Sequence, residues 1–295
     1  MGVTMPQTAP AWRRLATARR RAPGTRRNGN LTAGLTILGL ALLISAVGHF
    51  ALPDPLHQDL TASLAAPGTG GHLLGTDPLG RDVFAWIAAS VPLSLAIAVA
   101  TVCLSSVVGV VVGIAAGFMG GVVDALLMRL VELSLAIPPL LLFLSASAIV
   151  GTGTLKLILL VSAVSWVPYA RIVRTQVQLE RRRPSIAAAR LAGLTRRRIV
   201  VRHIVPSIAT FVLVLASLQA GYVFLWEASL SFVGLGVQPP QTSLGFLMAQ
   251  GRLTLAVGWW VVVFPGAMLA ALLLAANLVG DGLRDKFGLD LEDVR

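Results

Sequence analysis

Between Val83 and Val123 the chain carries no charged residue at all. A soluble fold has to cover its surface with polar groups, and charged residues make up about a quarter of a typical soluble domain. Here only 13% are charged, 56% are hydrophobic and the mean hydropathy is +0.80. A helix crosses the roughly 30 Å hydrocarbon layer in about 20 residues, so this run is too long for one crossing. Strands of a membrane barrel would alternate apolar and polar residues, and these runs do not alternate. The expected fold class is therefore an all-α polytopic membrane protein.

The apolar runs divide into six transmembrane helices: Leu31–Leu52, Val91–Gly117, Val122–Val150, Leu155–Ala170, Ser207–Trp226 and Ala256–Val279. The second is preceded by a lead-in helix ending near Ser90. Gly120-Gly121 makes a turn between the second and third spans, and Pro138-Pro139 kinks the third. Residues 1–30 form a basic tail with seven arginines and no acid, too long an apolar run following it for a cleaved signal peptide. Residues 31–82 hold the first helix and a polar outer loop. A helical core spans 83–280, and 281–295 form a second tail.

The net charge of +11 is almost all arginine, since lysine occurs only at 156 and 286. Ten arginines against the single acid Glu180 fall in residues 171–206. Positive charge collects on the cytoplasmic side, which puts this loop and both termini inside and the chain in the cell membrane as a multi-pass protein. The clusters lack interleaved stacking aromatics, so membrane lipid and not nucleic acid is the expected contact. Cys103, the single cysteine, is expected to be a packing residue, and no disulfide can form within the chain. His49, His57, His72 and His203 have no ligand spacing, so neither metal nor cofactor is expected. No nucleophile–base set and no phosphate loop with Gly-Lys-Ser/Thr occurs, so the chain is not expected to be an enzyme. The absence of mid-span carboxylates speaks against ion-coupled transport.

The loop itself has a pattern that topology does not require. Pro184 starts a small-residue helix containing Ala187, Ala188, Ala189 and Arg190. Gly193 breaks it, Thr195 caps a second helix with Arg196, Arg197, Arg198 and His203, and Pro206 ends or kinks that helix. Small side chains seat a helix deep in a partner's groove while arginines make charge-assisted contacts at its rim. On the second span Gly109, Gly113 and Gly117 recur every four residues. They give a flat face suited to close helix packing within the chain.

The loop resembles the cytoplasmic coupling loop of ABC importer permeases. The chain from about residue 30 to residue 290 is similar to the dipeptide/oligopeptide/nickel permease family. Four further segments carry the resemblance: Gly75–Phe84, Ala116–Gly121 with Asp124 and Arg129, Glu227–Pro240, and Asn277–Asp285. The resemblance implies a transmembrane subunit of an ATP-driven importer of peptides or related small solutes, nickel chelates among them. It also implies a heterodimeric second permease, two ABC ATPase subunits that hydrolyse the ATP, and an extracytoplasmic solute-binding protein. The family's loop glutamate is Ala187 here and its usual tryptophan is Leu244, so either coupling rests on shape and the arginines instead or it is weakened. The competing reading is a self-sufficient carrier or channel that needs no ATPase.

Overall fold

A computed structural model describes residues 29–52 and 54–287. Among them the regular structure is helical, apart from two isolated β-bridges, Thr69–His72 and Thr76–Asp82. The membrane-length helices are α1 (Gly29–Ala51), α2 (Val83–Met119), α5 (Thr154–Arg181), α8 (Val205–Phe232) and α10 (Trp260–Phe287). Between α2 and α5 lie α3 (Gly121–Ala136) and α4 (Pro139–Val150), meeting at 86°. Five helices are long and apolar enough to cross a membrane, or six if this bent pair is one span. The basic tail lies outside the described residues except for Gly29 and Asn30, as does the end of the second tail beyond Phe287.

Several boundaries differ from the sequence expectation for identifiable reasons. The lead-in helix and second span are one helix of 37 residues running through Pro92. Its start is set by Asp82, whose carboxylate accepts the Ala85 N–H at 2.9 Å. At about 1.5 Å per residue it is about 55 Å long, more than a bilayer core needs. The fourth span continues well beyond Ala170 to Arg181. Its polar-looking extension hides Val173 and Val177, which pack against Gly113 and Gly117 of α2. The fifth span is likewise continuous with the helix that precedes it. Pro206 does not end that helix, because a π turn at Val200–Ile204 takes up the irregularity. The outer segment contains an unforeseen helix, α9 (Leu244–Gly251).

Helices α2 and α5 form the most extensive pair, and α1 packs along α10. The start of α1 meets the end of α10, where a β-carbon on Gly282 would touch Leu31. Two ends of the molecule are thus distinct. One carries the arginine-rich loop and both ends of the described chain. The other carries residues 54–82, α9 and the main core around Trp86, Phe143, Phe224, Leu247 and Trp260.

Residues 54–82 are folded tightly and not left as a polar loop. Asp77 is fully buried; it accepts the backbone N–H groups of Leu79 and Arg81 at 2.9 and 2.8 Å and pairs with the Arg81 guanidinium. That guanidinium stacks 3.7 Å from the centre of the Trp86 ring. Trp260 donates its indole N–H to the Thr76 carbonyl at 2.9 Å, fastening the segment to α10. Nearby, Asp59 caps a short turn by accepting the hydroxyl and backbone N–H of Thr61, which hold its carboxyl below its ordinary pKa. At the same end Glu227 of α8 is buried and accepts the hydroxyls of Ser231 and Ser243. Ser243 also caps α9 by accepting the Phe246 N–H at 3.2 Å.

Candidate docking loop

Residues 182–204 join α5 to α8 through α6 (Pro184–Leu191), α7 (Arg196–Ile199) and the π turn. Pro184 stands in the first turn of α6, where its missing N–H costs nothing. The helix stops at Gly193, whose φ of +76° is the left-handed conformation that glycine adopts without steric cost. The Gly193 N–H donates to the Arg190 carbonyl at 3.0 Å and the Leu194 N–H to the Ala189 carbonyl at 3.1 Å. Together these are a full Schellman closure, which satisfies the carbonyls at the helix end. Thr195 then caps α7 by accepting the Arg198 N–H at 3.4 Å. In the π turn the Val205 N–H reaches back to the Val200 carbonyl.

The inner face of this unit is apolar. Ile186, Ala189, Ile199 and Ile204 pack with Val173 and Val177 of α5 and Ile208 of α8. Val110, Ile114 and Phe118 of α2 border the same cluster. Burying an isoleucine is worth about 1.5–3 kcal/mol, so Ile186 and Ile199 clamp the loop to three long helices. The loop is therefore a rigid ledge.

The outer face holds most of the sequence-derived candidates. Ala187, Ala188, Arg190, Gly193, Arg196, Arg197, Arg198 and Pro206 are exposed, whereas Ala189 belongs to the inner face. His203 is half-buried, and its Nδ1 has no hydrogen-bond partner among the described residues. Leu191 is 91% exposed and Val201 61% exposed. Leu191 lies inside the Ala187–Gly193 stretch expected to dock, without a role of its own, and Val201 lies outside the expected set. The signal was there for Leu191, a large apolar residue off the Ile186/Ala189 stripe.

The arginines are not equivalent. Arg174 donates twice to Asp124, tying α5 to α3, and Arg183 pairs with Glu180 at 3.1 Å. Arg181, Arg190 and Arg196 instead line a pocket of about 230 Å³ with Phe118, Met119, Leu194 and Ile199. A second, larger groove of about 660 Å³ lies between α5 and α8; its walls include Pro168, Phe211 and Leu215, with Arg171 and Arg284 among its polar residues.

Gly109, Gly113 and Gly117 all face α5. In lipid the hydrophobic effect does not drive helices together, so contact rests on close van der Waals fit. Among the described residues, no group of three or more His, Cys, Asp or Glu side chains is placed to hold a metal ion. His72 pairs with Asp82 at 2.7 Å, and no metal set forms around it.

Comparison with known proteins returns one family model, the binding-protein-dependent transport system inner membrane component, matching residues 109–290. The chain is similar to the oligopeptide transport system permease protein OppC of Mycobacterium tuberculosis, 38% identical over 256 residues, covering 83% of this chain and 86% of the relative. OppC of Escherichia coli is 37% identical over 271 residues, covering 90% and 88%. A putative peptide permease protein of Brucella suis is 36% identical over 257 residues, covering 86% and 85%.

Proposed function

Because the chain belongs to the family of binding-protein-dependent transport system inner membrane components, we propose that it is one transmembrane subunit of an ATP-driven peptide importer in the cytoplasmic membrane. A second permease subunit completes the pathway. Two ABC ATPases dock beneath it and an extracytoplasmic binding protein delivers the solute. Peptides or related small solutes are the cargo class, in keeping with the names of the relatives. ATP hydrolysis belongs to the partner subunits. Residues 83–280 form the permease core, and the arginine-rich end faces the cytoplasm.

The observation that carries this reading is the ledge. Residues 184–206 expose alanines, Leu191 and arginines on one side and are clamped on the other to helices that cross the membrane. A force applied to its exposed face moves α5 and α8 as one body, which is what coupling an external ATPase to a pathway demands. Gly109, Gly113 and Gly117 keep α2 in step with α5.

The test is purification of the tagged chain from native membranes in mild detergent, with mass spectrometry of the co-eluting proteins. A second permease and ATPases are expected, with the ATPases lost when Leu191→Asp alters the ledge. Recovery of the chain alone, under conditions that keep other membrane complexes intact, favours a self-sufficient carrier and overturns the proposal.

A further inference from the structure

Three arginines from three different helices converge on one pocket whose lining, among the described residues, holds no acid. Arg181 ends α5, Arg190 lies in the last turn of α6 and Arg196 begins α7. All three line the 230 Å³ pocket, whose remaining walls are apolar. Glu180, the only acid between residues 171 and 206, is already paired with Arg183. The guanidinium of Arg190 is placed by the Phe118 ring, 5.8 Å from its centre. That of Arg181 rests against the Gly120 turn, 3.2 Å from where a β-carbon would stand. Like charges gathered in this way repel unless an anion sits among them.

The setting favours a protein carboxylate over a lipid headgroup. Arg181 lies ten residues beyond Arg171, the first arginine of α5, so the pocket stands about 15 Å farther along the helix from the apolar segment. Beside it the exposed Leu191, Ala187 and Ala188 give the mixed apolar and charged character of a protein contact. Guanidinium forks match carboxylates in two-pronged geometry.

We propose that this pocket is a carboxylate receptor: an aspartate or glutamate side chain of the docked ATPase enters it and is held by Arg181, Arg190 and Arg196. This rests on the reading of the ledge as the ATPase-docking element. It also divides the arginines into receptors and bystanders.

The experiment measures equilibrium binding of the co-purified ATPase, stripped and added back, to the permease complex in lipid nanodiscs across a salt series. R190Q/R196Q is expected to weaken binding by about tenfold or more and to flatten its salt dependence. R171Q/R182Q, outside both the pocket and the ledge, removes the same net charge and is expected to leave the affinity at the wild-type value. R190K/R196K, which keeps charge without the fork, is expected to fall between. A photo-cross-linker at Met119, in the pocket wall, is expected to mark an acidic segment of the ATPase.

Equal weakening by both glutamine pairs, or none by R190Q/R196Q, overturns the pocket while leaving the docking ledge standing. Cross-linking only to lipid, or only to the acidic residues Asp290, Glu292 and Asp293 of this chain, does the same. Failure of the unaltered complex to bind the ATPase at all overturns the docking reading itself.

Discussion

Gly109 and Tyr169 lie so close that a β-carbon added to the glycine would stand 2.4 Å from that of the tyrosine, and equally near the Trp166 carbonyl oxygen. The obstacle is backbone and a β-carbon, neither of which can swing aside. Gly109→Ala is therefore expected to push α2 from α5 and cost about 1–3 kcal/mol. Gly39→Ala in α1, where nothing lies within 4 Å, is expected to leave stability unchanged or slightly raised. Thermal unfolding of the purified chain in detergent, followed by tryptophan fluorescence, checks both. Equal melting temperatures would contradict the packing account.

Gly193 makes the opposite kind of demand. A β-carbon there meets no atom within 4 Å, but φ is +76°. Substitution is thus penalised by conformation and not by bulk. Gly193→Ala and Gly193→Leu are expected to cost similar amounts, about 1–2 kcal/mol, and Gly193→Asn less, since asparagine tolerates the left-handed region. Hydrogen exchange at the Leu194 amide, which closes the helix end, measures the effect directly. A penalty that rose with side-chain size would show that space, not φ, is limiting.

Asp77→Ala leaves Arg81 without its carboxylate in a nearly closed site, and removal of one partner from a buried pair costs about 3–5 kcal/mol. The side chain of Arg81 is 11% exposed and that of Asp77 fully buried. Residues 54–82 are expected to become protease-sensitive while the long helices stay intact. Arg81→Lys is expected to give a weaker form of the same defect, because an ammonium loses both the fork and the stacking on Trp86. Limited proteolysis with mass mapping reads the outcome; an unchanged cleavage pattern in Asp77→Ala would refute the role of the pair.

Ser243→Ala removes both the cap of α9 and a donor to buried Glu227. A lost cap costs about 0.5–2 kcal/mol, and the carboxylate loses one of its hydroxyl partners. Faster hydrogen exchange confined to residues 244–251 is expected. Protection equal to wild type would mean that α9 is held by its packing alone.

The crossings were legible because uncharged runs near bilayer length have few other uses. Their ends were not. Val173 and Val177 are separated by Arg174, Thr175 and Gln176, so hydropathy falls where the helix continues, and only the glycines opposite explain why it does. Asp77 read as a solvent-facing loop residue, since nothing local announces that it will be buried under Arg81. The breaks at Pro184, Gly193 and Thr195 were legible because capping chemistry is local. Helix α9 was obscured by the glycines and prolines before it, although Ser243 stands at its cap. The sorting of the arginines was out of reach, because Arg181 and Arg196 meet only after the intervening residues fold back.

The helix from Arg196 to Phe232 runs continuously through a π turn. Along a continuous helix, displacement at one end can arrive at the other as displacement or as twist. A π turn also carries one residue more than the α turn it replaces, which offsets the angular phase of the two halves by about 100°. Deleting one residue from 200–204 would restore a plain helix with Arg196 on nearly its present compass bearing relative to Phe232, whereas winding all the same residues as α-helix would swing it by about 100°. The bulge is thus a clocking element, setting the heading of one end of the rod against that of the other.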